Sequence, residues 1–287
     1  MTGPRSSSAP EPLERLSRMM DARDHRAKRS LGQNFLVDPN LQRKIVAAVQ
    51  AGPADEVVEI GPGRGALTRH LLGTVRRLVL VELDDDLAAM WSKDHGDDPG
   101  VHVVHGDVLT APFWESIDDP SRARVVGNIP YGITSPIIFR CLERPRPHSI
   151  VLMVQDEVAD RIVASVGTKA YGALSVGIRS VAKVERLFTV RRTAFKPQPG
   201  VDSAVVRITP IRPERLGKDK EVALRNLVRS VFQWRRKQLR KILRDHADLM
   251  VPAGQLGRIA EQADVDLSDR PERLSPEAFI RLVSALP

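Results

Sequence analysis

The chain has 287 residues, a formal net charge of +8 and 42% hydrophobic residues. That is long for one small domain, apolar enough for a real core, and basic enough to favour a polyanionic partner, nucleic acid ahead of an acidic membrane. A single cysteine, Cys141, excludes an intramolecular disulfide and fits a reducing, cytoplasmic setting, and no apolar run reaches the ~20 residues of a membrane span.

Residues 1–22, rich in Ser, Pro and Arg, read as a disordered basic tail with neither a signal-peptide core nor the acid-free composition of a transit peptide. Lys28–Leu36 (KRSLGQNFL) is a basic, glycine-containing loop that reads equally as a flap over a ligand and as a surface entry strand. Asp38 as N-cap and Pro39 at the first helical position then start a helix that runs to about Gln50, with Leu41, Ile45, Val46 and Val49 on its apolar face.

Glu56–Ile60 is a short apolar strand that runs into Gly61-Pro62-Gly63-Arg64-Gly65, and a helix is expected over Ala66–Leu72. Strand, glycine turn, helix is the nucleotide-binding half of a doubly wound sheet, because glycine lets the backbone turn tightly and approach a ligand closely. The spacing is G-x-G-x-G, not the G-x-G-x-x-G of the dinucleotide fingerprint, and a tight turn without a ligand is the plainer alternative. The next strand, Leu78–Val81, ends in Glu82, whose carboxylate is placed to accept hydrogen bonds from two ribose hydroxyls. Asp84 and Asp85 read as caps of the following helix. Val101–His105 is a third strand, and Asp107 after it is either a turn residue or an acceptor for an adenine amino group. His102 and His105 point to opposite faces of that strand, and no metal site is expected.

Ala123–Gly127 is a buried strand that delivers Asn128-Ile129-Pro130-Tyr131 to its C-terminal lip, where open α/β sheets place their chemistry. An amide oxygen, a carbonyl held by proline and a flat ring suit a planar molecule with an exocyclic amino group, such as adenine. The alternative is a loop in which Asn128 caps the next helix and Tyr131 is half-buried. Cys141 falls on that helix as a small apolar residue, with no His or Asp spaced to activate it.

Ser149–Val154 reads as a strand, Gln155–Ile162 and Gly172–Val181 as helices, and Val184–Thr189 and Ser203–Ile208 as late strands. Between the last two, prolines 197 and 199 stiffen a link that presents Phe195 in an exposed loop, where it could hold a base against Tyr131. A phenylalanine plugged into the core is the other reading. Beyond Pro210 the chain turns helical. Val222, Leu224, Leu227, Val228 and Val231 form one amphipathic run. Trp234–Arg244, read as a helix with Leu239, Ile242 and Leu243 facing the core, holds six cations and no anion. Such a run repels itself unless it meets phosphate. Two helices near Gln255–Ala263 and Pro276–Ala285 close the chain.

In combination, KRSLGQNFL, EIGPGRGALT (59–68), NIPY (128–131), KAYGALSV (169–176), FKPQPGVDSAVV (195–206), RRKQLR (235–240) and RLSPEAF (273–279) resemble the ribosomal RNA adenine N6-dimethyltransferases, closest to the bacterial small-subunit (KsgA-type) branch. The resemblance spans roughly residues 27–285. Ile129, Asp156 and Ala173 depart from its commoner Leu, Lys and Arg, and the latter two put local RNA contacts in doubt.

The resemblance implies an α/β fold: a Rossmann-like class I S-adenosylmethionine-dependent methyltransferase domain over 23–210 and a small all-helical rRNA-binding domain over 211–287. It implies S-adenosylmethionine held by Asn34, Leu36, Gly61, Glu82, Asp107 and Asn128. Asn128, Ile129, Pro130, Tyr131 and Phe195 would be the catalytic set, and Arg235, Arg236, Lys237, Arg240 and Lys241 the RNA contacts. The expected reaction is dimethylation of two adjacent adenosines in the 3′-terminal hairpin of small-subunit rRNA, by a monomer acting on a pre-30S particle. A large-subunit rRNA methyltransferase conferring antibiotic resistance, a non-catalytic RNA-binding assembly factor and a nicotinamide-dependent oxidoreductase are the competing readings.

Overall fold

The computed structural model describes residues 27–287, and in chain order it begins β1 (Phe35–Leu36), α1 (Pro39–Val49), β2 (Glu56–Ile60), α2 (Thr68–Leu71), β3 (Arg77–Glu82), α3 (Asp85–His95), β4 (Val101–His105) and β5 (Arg124–Asn128). There follow α4 (Thr134–Cys141), β6 (Ser149–Gln155), α5 (Asp156–Val163), α6 (Ala173–Arg179), β7 (Ala182–Val190), β8 (Phe195–Lys196) and β9 (Ser203–Pro210). The C-terminal part holds α7 (Lys218–Gln233), α8 (Leu239–Asp245), α9 (Leu256–Ala263) and α10 (Pro276–Ala285). The tail expected over residues 1–22 lies outside the described residues. The chain forms two compact units: one reaches Gly132 and takes back Arg192–Gly200, the other comprises Ile133–Arg191 and Val201–Pro287.

In the first unit β2 pairs with β3 and with β5, and β3 pairs with β4, all parallel. The chain therefore steps outward from β2 to β4, then returns to the other side of β2 as β5. Such a reversal of strand order opens a crevice beyond the carboxyl ends of the strands, where sheets of this kind bind ligands. Every residue of β2 is buried, as a parallel strand covered on both faces requires. Among the described residues β4 pairs only with β3, and His102 and His105 on it are exposed.

The first helix starts as its sequence dictates. Asp38 accepts from the amides of Asn40 at 2.8 Å and Leu41 at 3.1 Å, with Pro39 at the first helical position; such a cap stabilises by about 1 kcal/mol. The buried side chains of α1 are Gln42, Ile45 and Val49, so Gln42 takes a place expected for Leu41. Its amide donates to the Leu36 carbonyl at 3.0 Å, which satisfies a buried polar group and ties α1 to β1.

The helix expected over Ala66–Leu72 is shorter. Gly65 has φ +76°, and its amide bonds back to the Pro62 carbonyl at 2.9 Å. The turn therefore persists to Leu67, and α2 is one helical turn.

In the second unit β9 pairs antiparallel with both β6 and β7. One apolar core joins Tyr171 and Val176 to Leu224, Leu227, Val228 and Val231 of α7, and to Leu239, Ile242 and Leu243 of α8. Tyr171 is fully buried, and its hydroxyl donates to the Leu274 carbonyl at 2.8 Å, offsetting the cost of burying that group. Val222, assigned above to the apolar face of α7, is 43% exposed.

The basic run is not one helix. Lys237 donates its amide to the Trp234 carbonyl at 2.8 Å, closing a turn, and α8 starts only at Leu239. Asp245, one residue past the run, binds Lys241 at 2.7 Å and Arg244 at 2.6 Å. Asp156, where the resemblance left RNA contacts in doubt, pairs with Arg186 at 2.6 Å. Cys141 is buried, and burial pushes its thiol up to about 12, which removes it as a nucleophile.

Candidate active site

The glycine turn after β2 is shaped by its own residues and clamped from two sides. Gly61, Gly63 and Gly65 all have positive φ, at +66°, +54° and +76°. A Cβ on Gly65 would lie 2.8 Å from the Trp91 ring, and one on Gly63 would lie 3.1 Å from the Phe35 ring. Glycine is therefore demanded twice over, by conformation and by contact. The Trp91 indole donates to the Gly63 carbonyl at 3.0 Å, and the Arg64 guanidinium sits 4.3 Å from the centre of the Phe35 ring. Neither Phe35 nor Trp91 was singled out in the sequence, because the contacts that matter cross about 28 residues.

Glu82, at the end of β3, is buried with both oxygens in use. One accepts from the Gly63 amide at 3.0 Å, the other from the Asp84 amide at 2.9 Å. Burial pushes its carboxyl above the usual range, and those amides pull it back. The Leu83 amide also bears on this carboxylate, so three backbone donors face about four lone-pair sites and some acceptor capacity is left for a hydroxyl donor. Next to it, Leu83 is 47% exposed. Asp107 spends Oδ1 on the Leu109 amide at 2.9 Å, as a turn aspartate does, with its other oxygen left for a donor.

A second buried acid, Glu59, stands two residues before the turn. Glu59 is 1% exposed, and its Oε2 has no hydrogen bond among the described residues. Burial pushes its carboxyl up to about 8, and the charge of Glu82 adds to the shift. It therefore carries a proton at neutral pH.

The N-terminal loop is pinned to the same place. Lys28 Nζ reaches Asp84 at 2.8 Å and Asp86 at 2.8 Å, and the Gln33 amide donates to Asp84 at 2.8 Å. Asp84, expected as a helix cap, does accept from the Asp86 amide at 3.1 Å. It also takes these two long-range partners.

Asn128 stands at the end of β5, half-buried. Its side-chain Nδ2 donates to the Asn34 carbonyl at 2.9 Å. The Asn34 side chain in turn donates to the Gly32 carbonyl at 3.1 Å. With the nitrogen committed, the amide oxygen of Asn128 is the atom left to accept a hydrogen bond. The Asn128 backbone carbonyl lies 3.8 Å from where a Cβ on Gly61 would sit. Ile129 is buried, and Tyr131 opens a half-buried 3-10 turn over Tyr131–Ile133. The expected cofactor and catalytic residues Asn34, Gly61, Asn128, Ile129, Pro130 and Tyr131 thus gather at one lip of the sheet.

Phe195 is a correction. It is not in an exposed loop: it is 2% exposed, on β8, paired antiparallel with Leu36 of β1. A backbone ladder places it, and the Val37 amide donating to the Ala194 carbonyl at 2.8 Å extends that ladder. Leu36 is likewise 3% exposed. Among the described residues no group of three or more His, Cys, Asp or Glu side chains is gathered as a metal would need, and no helix is long and apolar enough to cross a membrane.

Parallel strands reversing at β2, a glycine turn whose amide is held by the acid of the next strand, and an Asn-Ile-Pro-Tyr lip are the layout of a class I methyltransferase. Residues 24–285 match the family described as ribosomal RNA adenine dimethylase. The ribosomal RNA small subunit methyltransferase A of Nitratidesulfovibrio vulgaris strain DP4 is 41% identical over 268 residues, covering 91% of this chain and 97% of that protein. A dimethyladenosine transferase from Plasmodium falciparum superposes with a TM-score of 0.74 at 28% identity, over 86% of this chain and 95% of that one. The 23S rRNA methyltransferase ErmE superposes with a TM-score of 0.66 at 29% identity, over 88% and 99% of the two chains. The chain belongs to the ribosomal RNA adenine dimethylase family. It is thus an S-adenosylmethionine-dependent methyltransferase.

Proposed function

We propose that the chain dimethylates N6 of two adjacent adenosines in the 3′-terminal hairpin loop of small-subunit (16S) rRNA, acting in the cytoplasm as a monomer on a pre-30S particle. The observation that carries the chemistry is the hydrogen bond from Asn128 Nδ2 to the Asn34 carbonyl at 2.9 Å. It commits the amide nitrogen and aims the oxygen.

Adenine N6 is a poor nucleophile because its lone pair is delocalised into the ring. The Asn128 oxygen and the Ile129 carbonyl can each accept one N6 hydrogen, which favours a tetrahedral nitrogen with a localised pair. Tyr131 offers a flat face to the ring, and positioning of this kind can contribute several kcal/mol. S-adenosylmethionine, when bound, supplies an electrophilic methyl. N6 gains that methyl and afterwards releases a proton to solvent, so no residue here needs to be a strong base. Phe195 serves as a wall beside the site; as a second stacking face it would first have to leave its buried position.

The residues fit the cofactor in kind. The positive-φ glycines leave room where side chains would stand, and Glu82 retains acceptor capacity for ribose hydroxyls. Leu83 presents an apolar surface beside it, suited to a flat base. Asn34, Leu36, Gly61, Glu82, Asp107 and Asn128 are the proposed contacts.

The helical segment from residue 211 is the proposed rRNA-binding part, with Arg235, Arg236, Lys237, Arg240 and Lys241 on the backbone, holding register without reading sequence. The similarity to a small-subunit methyltransferase at 41% identity, against 29% for the 23S enzyme, supports the small-subunit substrate. The test is transfer of labelled methyl to a mixture of unmethylated small and large ribosomal subunits, followed by sequencing of the labelled fragment. Label in two neighbouring adenosines of the 3′ hairpin is expected; label in 23S rRNA alone, or none, rejects the reading.

A further inference from the structure

Beyond the methyl-transfer site, the second unit holds a cavity that the chemistry above does not use. It has a volume of about 280 Å³ and is lined by Gln233, Trp234, Arg235, Arg236, Lys237 and Lys241. Four of those six residues are cations and none is an acid, while the largest apolar surface among them is the Trp234 indole. The volume is near the lower end of ligand pockets, roughly 300–1,000 Å³.

The cavity has a fixed floor. Trp234 is half-buried at the end of α7, and its ring packs against that of His246 with centroids 5.2 Å apart. His246 is itself buried and held by Gln233 Oε1 at 3.0 Å. Arg235 is also fixed: its guanidinium donates to the carbonyls of Lys169 at 3.0 Å and Thr168 at 3.2 Å, and it faces Glu272 at 3.6 Å. Lys241 shares Asp245. Arg236 and Lys237 are exposed and have no ion pair among the described residues. A rigid aromatic platform thus sits beside two uncommitted cations.

We propose that this cavity takes one unpaired nucleotide of RNA, its base stacked on Trp234 and its flanking phosphates on Arg236 and Lys237. This rests on the reading that the chain acts on RNA, and it adds a grip on a base where that reading had only backbone contact. An acidic peptide would answer the cations but leave the indole face without a flat partner, whereas a nucleotide answers both.

The test titrates the full-length protein with a single-stranded oligoadenylate at several salt concentrations, using Trp234→Ala, Trp234→Phe and the double variant Arg236→Ala/Lys237→Ala. Stacking releases no counterions, so Trp234→Ala should weaken binding about tenfold with the slope against log salt unchanged. Trp234→Phe should retain most of the affinity. The double variant should lower the slope by about 1.4. Quenching of the wild-type indole emission by oligoadenylate, reduced in Trp234→Phe to the part due to Trp91 and Trp114, gives an answer independent of the alanine variant's folding. Unchanged affinity in Trp234→Ala, or a loss accompanied by a changed slope, overturns the proposal, as does tighter binding of an oligoglutamate. Methyl transfer to small subunits, assayed in parallel with the wild type, separates the two ideas. Normal transfer with an indifferent Trp234 removes only the stacking site; no transfer removes the underlying reading.

Discussion

Asn128 donates its side-chain amide to the carbonyl of Asn34 at 2.9 Å, so an N-terminal loop residue sets which atom of Asn128 is left to accept at the lip of β5. Replacing Asn128 by alanine removes that acceptor without emptying the core, since the residue is half-buried at the end of its strand. We expect kcat for methyl transfer to fall by about 100-fold or more, as for loss of one aimed hydrogen-bonding group in an active site, with the thermal melt close to wild type. Wild-type turnover would refute the role given to Asn128.

Gly65→Ala should cost both fold and cofactor. The backbone there has φ +76°, and the new methyl would meet the Trp91 ring at 2.8 Å. Strain of this type costs about 1–3 kcal/mol, to be read from urea melts. Adding Trp91→Phe relieves the contact but not the dihedral, so the double variant should recover only part of the loss.

Glu59 gives the stability a pH slope. Its folded carboxyl titrates at about 8, against about 4.3 in an unfolded chain. Between those values the unfolded state has released the proton and the folded state still holds it, so the folded form loses stability as pH rises. The slope approaches about 1.4 kcal/mol per pH unit and levels off above pH 8. Glu59→Gln should flatten the curve. Urea melts at pH 5, 6.5 and 8 decide the matter, and parallel slopes in the two proteins would exclude this origin.

Lys28→Met should loosen the loop over the site. Lys28 bridges Asp84 and Asp86, and the Asp84 amide supports Glu82. Since Lys28 is partly exposed, solvent screens the bridge and it adds little to stability. The expected result is a few-fold rise in KM for S-adenosylmethionine with kcat nearly unchanged. A fall in kcat alone would mean that the bridge acts elsewhere.

Neighbouring arginines of the basic turn should behave differently. Arg235 holds the carbonyls of Thr168 and Lys169, so Arg235→Ala should lower stability by about 1 kcal/mol or somewhat more. Arg236→Ala should leave the melt unchanged and weaken RNA binding. Equal effects of the two on the melt would contradict this division.

What could be read from the chain was what local pattern encodes. A buried strand followed by Asn-Ile-Pro-Tyr placed Asn128 at a lip, the glycine turn after β2 placed Gly61, and a strand ending in an acid placed Glu82. The bonds that fix these groups were not legible, because they cross the fold: Trp91 to Gly63, Lys28 to Asp84, Asn128 to Asn34. Phe195 was misplaced because a two-residue strand carries no periodicity, and its proline neighbours describe a loop equally well. The helix assigned to Trp234–Arg244 failed at its start for a different reason. Hydrophobic spacing holds from Leu239 onward, while Trp234–Gln238 follows a hydrogen-bonded turn that leaves no mark in that spacing.

The pairing of Leu36 with Phe195 makes the start of the described chain and a segment some 160 residues later a single mechanical part. Trimming or fusing a rigid tag at the N-terminal side of Phe35 would therefore disturb more than the nearby flap. It would also loosen Phe195, a buried aromatic residue far downstream, so damage done at one end of the chain would be felt in a distant part of its core.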